Sequence, residues 1–80
     1  MENREIIPKL NKEFNIVYNY LYQNDSSSSS LESDMAARFD KYINEPRYLL
    51  DEFNRYRHDV ISSVREAAAY MIALYHLELV

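Results

Sequence analysis

Apolar positions recur at helical spacing in three stretches of this chain. In the first, Ile7, Leu10, Phe14, Val17 and Leu21 alternate steps of three and four, the pattern of a packed seam, and predict a helix over about 6–23. Tyr18 and Tyr22 widen the stripe, while Lys9, Lys12, Glu13, Asn15 and Asn19 form a polar opposite face. Pro8 fits a first helical turn, where its missing N–H loses no helical bond. In the second stretch Leu31, Met35, Phe39, Tyr42 and Ile43 share a face, predicting a helix over about 31–43. Between them, Asn24-Asp25 and the run Ser26 to Ser30 read as a loop of small polar residues. Ser29 stands three residues before Glu32, the spacing of a capping box, and Asp34 adds first-turn negative charge.

The third stretch, Pro46 to Leu79, dominates the chain. Leu49, Leu50, Phe53, Val60, Val64, Ala67, Met71 and Leu74 recur at steps of three, four and seven. No glycine and no further proline interrupts it, so it reads as one helix over about 46–79, about 50 Å long. Asn44-Glu45-Pro46 ends the preceding helix, because the residue before proline is pushed out of the α region. Such a short turn makes the second and third helices an antiparallel hairpin. The expected fold is all-α: residues 1–80 as a single domain, an antiparallel three-helix bundle with a long C-terminal helix.

That long helix carries an assembly prediction. From Ala67 to Leu77 His76 alone is clearly polar, and a helix apolar on every side should be buried on every side. Two short partner helices do not encircle it. Met71, Ile72, Leu74, Tyr75, Leu77 and Leu79 are therefore the expected interface of a homo-oligomer, a dimer or higher.

Length sharpens this expectation. Eighty residues give a marginal single core, and the absence of cysteine removes disulfides and thiolate metal sites as supplements. The net charge of −4 argues against a duplex-binding surface built on phosphate neutralisation. The charged start Met-Glu-Asn-Arg-Glu is followed by no long apolar segment, and Ala67 to Leu77 is too short to span a bilayer. The expectation is a cytoplasmic protein without membrane contact.

Catalytic patterns are sparse. His58 and His76 lack a carboxylate three residues earlier, so the Glu-x-x-His pairs of a helical di-metal site are missing. A chain without glycine has no glycine loop to cradle a phosphate. Ser62 and Ser63 lie within helical reach of His58 but read as surface, and the adjacent Asp51 and Glu52 as complement to a helix dipole. We therefore expect no enzyme, no cofactor and no metal. The richest cluster is Arg55-Tyr56-Arg57-His58, with Arg47 and Tyr48 two turns earlier. Arginine and tyrosine dominate binding hot spots, and arginine forks grip carboxylates and phosphates. These six residues are the candidate patch for an acidic partner or a phosphorylated small ligand. The alternative is that Arg55 simply pairs with Asp51, Glu52 or Asp59. Among the eight tyrosines, Tyr42 and Tyr70 read as core or interface fillers, and Tyr20 and Tyr48 as exposed.

Asn44 to Phe53, an Asn-x-Pro turn followed by Leu-Leu-x-Glu-aromatic, resembles the needle and inner-rod subunits of type III secretion systems. The resemblance implies a short helical hairpin that polymerises; the apolar Ala67–Leu77 tail departs from it. The residues themselves favour a small non-catalytic interaction protein of the inhibitor, adaptor or chaperone type that phages and mobile elements also encode. It would bind one protein partner through a helical surface. A self-assembling structural subunit and a binder of phosphorylated small ligands are the alternatives.

Overall fold

The computed structural model describes residues 3–42 and 47–79, with the backbone alone for residues 3, 25–29, 42, 47 and 48. The described residues form four helices and no strand: α1 (Asn3–Gln23), α2 (Asp25–Tyr42), α3 (Arg47–Arg57) and α4 (Val64–His76). The all-helical bundle matches expectation, but the count of three does not. The stretch expected to be one long helix is two, and the molecule accordingly measures only 36 Å along its longest axis, less than a straight 46–79 helix of about 50 Å.

The break itself is built from local chemistry. Helices commonly end on a residue with positive φ, usually glycine, and this chain has none. His58 takes that place at φ 60°. The His58 N–H reaches the Arg55 carbonyl and the Asp59 N–H reaches the Asn54 carbonyl, both at 3.2 Å, closing a Schellman motif. A left-handed non-glycine residue costs on the order of 1 kcal/mol. Glu78 repeats the device after α4 at φ 57°, with bonds from Glu78 to Tyr75 and from Leu79 to Leu74. Ser63 then restarts the chain. It is extended, and its hydroxyl accepts from the Glu66 N–H at 3.1 Å. The Glu66 carboxylate reaches back to the Ser62 N–H at 3.2 Å, a variant of the capping box.

Two further boundaries differ from expectation. The serine run, expected as a loop, lies within α2, whose backbone is helical from Asp25. Glu32, expected to serve a cap, is instead buried mid-helix, where its carboxylate accepts from Arg65 Nε at 2.9 Å. Serine tolerates helix interiors at modest cost, so a tertiary anchor of this kind can override composition. Likewise α1 begins at Asn3 and runs through Pro8, which is exposed. The helix loses one backbone bond there but keeps Ile7 and Leu10 buried on one face.

One core holds all four helices. The α1 seam Ile7, Leu10, Phe14, Val17 and Leu21 meets Leu49, Leu50 and Phe53 of α3, Phe39 of α2, and Ala67 to Met71, Ala73 and Leu74 of α4. α4 packs against both α1 and α2, and α3 lies against α1. Phe53 stands edge-on to Phe14 with ring centroids 5.2 Å apart and contacts Tyr70 at 5.3 Å; Phe39 closes on Tyr70 at 5.9 Å. The Tyr70 hydroxyl is buried without a hydrogen-bond partner among the described residues. Burial, then the Asp51 charge, pushes its ionisation far above the ordinary range. No helix among the described residues is long and apolar enough to cross a membrane.

Candidate binding face

The core leaves one side of the bundle under-covered. Along α1, Ile16 and Tyr20 sit one turn apart beside the seam residue Val17, and are 54% and 58% exposed. On α2, Leu31 is 40% exposed, with Met35 and Arg38 following at helical spacing. On α4, Ile72, Tyr75 and His76 share the matching side. Two adjoining grooves result. One, of about 370 Å³, is lined by Ile16, Val17, Tyr20, Leu21, Leu31 and Ile72, with Glu13 and His76 at its rim. The other, of about 400 Å³, lies between Leu31, Met35 and Arg38 of α2 and Ile72, Tyr75 and His76 of α4. Leu31, Ile72 and His76 belong to both, so the grooves form one apolar face.

Polar groups stand at its corners. His76 Nδ1 and Glu13 Oε1 are 2.7 Å apart, tying α4 to α1. Arg38 donates from Nη1 to the Tyr75 hydroxyl at 3.2 Å and lies over the Tyr75 ring at 5.9 Å, tying α4 to α2. An apolar floor with a few fixed polar groups can bury an apolar ligand surface and orient it. Among the described residues that line the face there is no serine, threonine or cysteine. Among the described residues no cluster of three or more histidine, cysteine or acidic side chains could hold a metal ion.

The residues expected to form the oligomer interface divide. Ile72 and Tyr75 line the open face. Met71 and Leu74 do not; they are buried in the core of a single chain. Leu77 and Leu79 are half-buried and packed against that core. Met71 and Leu74 are enclosed within one chain because α1 and α2 both flank α4, and Ala67, Ala68 and Ala69 let them approach closely.

The arginine–tyrosine patch also divides. Arg55 and Tyr56 are exposed and share a shallow concavity of about 300 Å³ with Arg4, Ile7 and Glu52. Arg57 turns inward. Its Nη2 meets Glu66 Oε2 at 2.7 Å and Asp59 Oδ2 at 3.7 Å. Its guanidinium carbon lies 4.6 Å from the Phe14 ring centroid and 5.4 Å from that of Phe53. Partial burial works to raise the Glu66 carboxyl, but the hydrogen bonds from Arg57, Ser62 and Ser63, with the Arg57 charge, hold it below its ordinary value. Arg57 is thus a latch between α3 and the start of α4. His58 is exposed but serves the helix stop, and the side chains of Arg47 and Tyr48 lie outside the described residues. Ile16, missed by sequence reasoning, had a readable signal: with Tyr20 it forms an i, i+4 apolar pair outside the seam.

Comparison of the chain with protein-family models, curated protein sequences and solved structures finds no match.

Proposed function

We propose that this is a small cytoplasmic binding protein without catalytic chemistry, which takes the apolar stripe of a helix from another protein between α1 and α2, over the outer side of α4. One observation carries the reading. Ile16, Tyr20, Leu31, Ile72 and Tyr75 converge from three helices on one face, where a further helix would complete the bundle. Helix-in-groove recognition uses an apolar trough with polar corners of this kind. Blocking or escorting a partner helix fits the inhibitor or chaperone class.

The test is site-specific photo-cross-linking in the native host. A cross-linker at Tyr20 should capture a protein that one at Asn15, an exposed α1 residue pointing away from the groove, does not, and Ile72→Glu should abolish the capture. Equal yields from both positions, or capture indifferent to Ile72→Glu, would contradict the reading. A second reading has a narrower basis: Arg4 and Arg55 share a concavity that suits a phosphorylated small ligand. It requires a thermal shift with phosphorylated compounds that Arg55→Ala removes.

A further inference from the structure

We propose that the chain also forms a domain-swapped dimer, in which residues 58–63 straighten, α3 and α4 fuse into one helix, and α4 docks between α1 and α2 of a second copy.

The break between α3 and α4 is held by side chains and not by an obligatory stop. No glycine or proline occurs from Arg47 to Leu79, so every residue of the connection can enter a helix. His58 holds a left-handed conformation that a straightened helix would relieve. Asp59 caps the Val60 N–H at 2.9 Å, and Asn54 accepts from the Ile61 N–H at 3.4 Å. These bonds hold the break, and Glu66 adds to them by gathering Arg57, Ser62 and Ser63. In a continuous helix Arg57 and Glu66, nine residues apart, would stand on opposite sides and about 13 Å apart along the axis. The latch and the fused helix are therefore mutually exclusive.

Geometry then requires a partner. A helix over 47–76 would be about 45 Å long, beyond the 36 Å of the whole molecule. α4 would leave its own subunit and vacate the space between α1 and α2. An identical α4 fills that space, and Arg65–Glu32, His76–Glu13 and Phe39–Tyr70 reform between chains unchanged. The crossing of the two fused helices also has a ready surface. Val60 and Val64 are 63% and 55% exposed in the closed form. In a fused helix they extend the Phe53–Arg57 stripe at steps of three and four, as a packed seam does. Short hinge segments under strain favour such exchange.

The experiment combines light scattering after size exclusion with interchain cross-linking. Wild-type chain held at millimolar concentration, then diluted, should show a slowly dissociating dimer. Glu66→Ala should raise the dimerisation constant on the order of tenfold, since it removes a charge-assisted pair from the closed form alone. Val64→Pro should abolish the dimer: proline suits the first position of α4 but forces Ser63 out of the helical region. His58→Gly should lower it as well and keeps the test alive if Val64→Pro folds poorly. Because the chain has no cysteine, the pair Glu13→Cys and His76→Cys reports connectivity. A short thiol cross-linker should join two chains in the dimer fraction and close a loop within one chain in the monomer fraction. A dimer that cross-links only within each chain, one that survives Val64→Pro and His58→Gly, or no dimer even for Glu66→Ala would overturn the proposal.

Discussion

The two ends of α4 touch the same neighbours and come out opposite. At its start, every long side chain is consumed. Ser63 caps the helix, the Glu66 carboxylate gathers donors from Arg57, Ser62 and Ser63, and Arg65 bridges to Glu32 and lies over the Tyr22 ring at 5.4 Å. Towards its end, Ile72 and Tyr75 stand between α1 and α2 with an open apolar face above them. The alanines at 67–69 let the flanking helices close, and the larger side chains beyond them coincide with the grooves. Apolar circumference alone therefore does not foretell exposure. What decides is whether neighbouring side chains are long enough and charged enough to roof the helix.

The closed end should break hardest. Arg57→Ala removes the latch, strips the guanidinium from between the Phe14 and Phe53 rings and leaves the part-buried Glu66 carboxylate without its cationic partner, and should cost roughly 3 kcal/mol in chemical denaturation. A loss under about 0.5 kcal/mol would place Arg57 among ordinary surface charges. Acid weakens the same latch more gently. Glu66 is held below its ordinary value of 4.5, so its contribution is fully present above that pH and fades as pH falls through the lowered value. The difference in Tm between wild type and Glu66→Gln should accordingly shrink as pH drops below 4.5. Tyr70→Phe keeps the ring contacts and removes a buried hydroxyl that lacks a partner among the described residues, and should raise stability by about 1 kcal/mol. His58→Gly should add about 0.5–1 kcal/mol, relief of the left-handed residue being offset by the entropy of glycine. Smallest of all, Leu31→Ser on the open face should change stability by no more than about 0.5 kcal/mol. Its effect belongs to partner capture, which separates binding from folding at a single residue.

Much of this was legible beforehand. The α1 seam was, because five apolar residues at strict steps leave one face to bury. The helix break was not, although its signal was present. Ser63-x-x-Glu66 has the capping-box spacing, the same one read upstream at Ser29 and Glu32, where α2 runs through instead. Spacing identifies a possible cap; the tertiary partner decides which is used. Here Arg57 holds Glu66 in its cap, while Arg65 draws Glu32 into the body of α2. The positive φ at His58 was hidden for a similar reason: the usual marker is glycine, and a chain without glycine stops its helices on other residues. Arginine and tyrosine content drew attention to Arg55 and Tyr56, which are exposed, but no sequence pattern told that Arg57 points between Phe14 and Phe53. The open face was missed as a unit because its residues come from three helices.

The most direct test is methyl NMR with a soluble paramagnetic probe on a single labelled chain. Met71 and Ile72 are adjacent, yet one lies in the core and the other on the open face. The account predicts strong broadening of the Ile16, Leu31 and Ile72 methyls while those of Leu10, Leu21, Met71 and Leu74 stay sharp. Equal broadening of Met71 and Leu74 would mean that the tail is not wrapped by its own chain, and would contradict the account at its root.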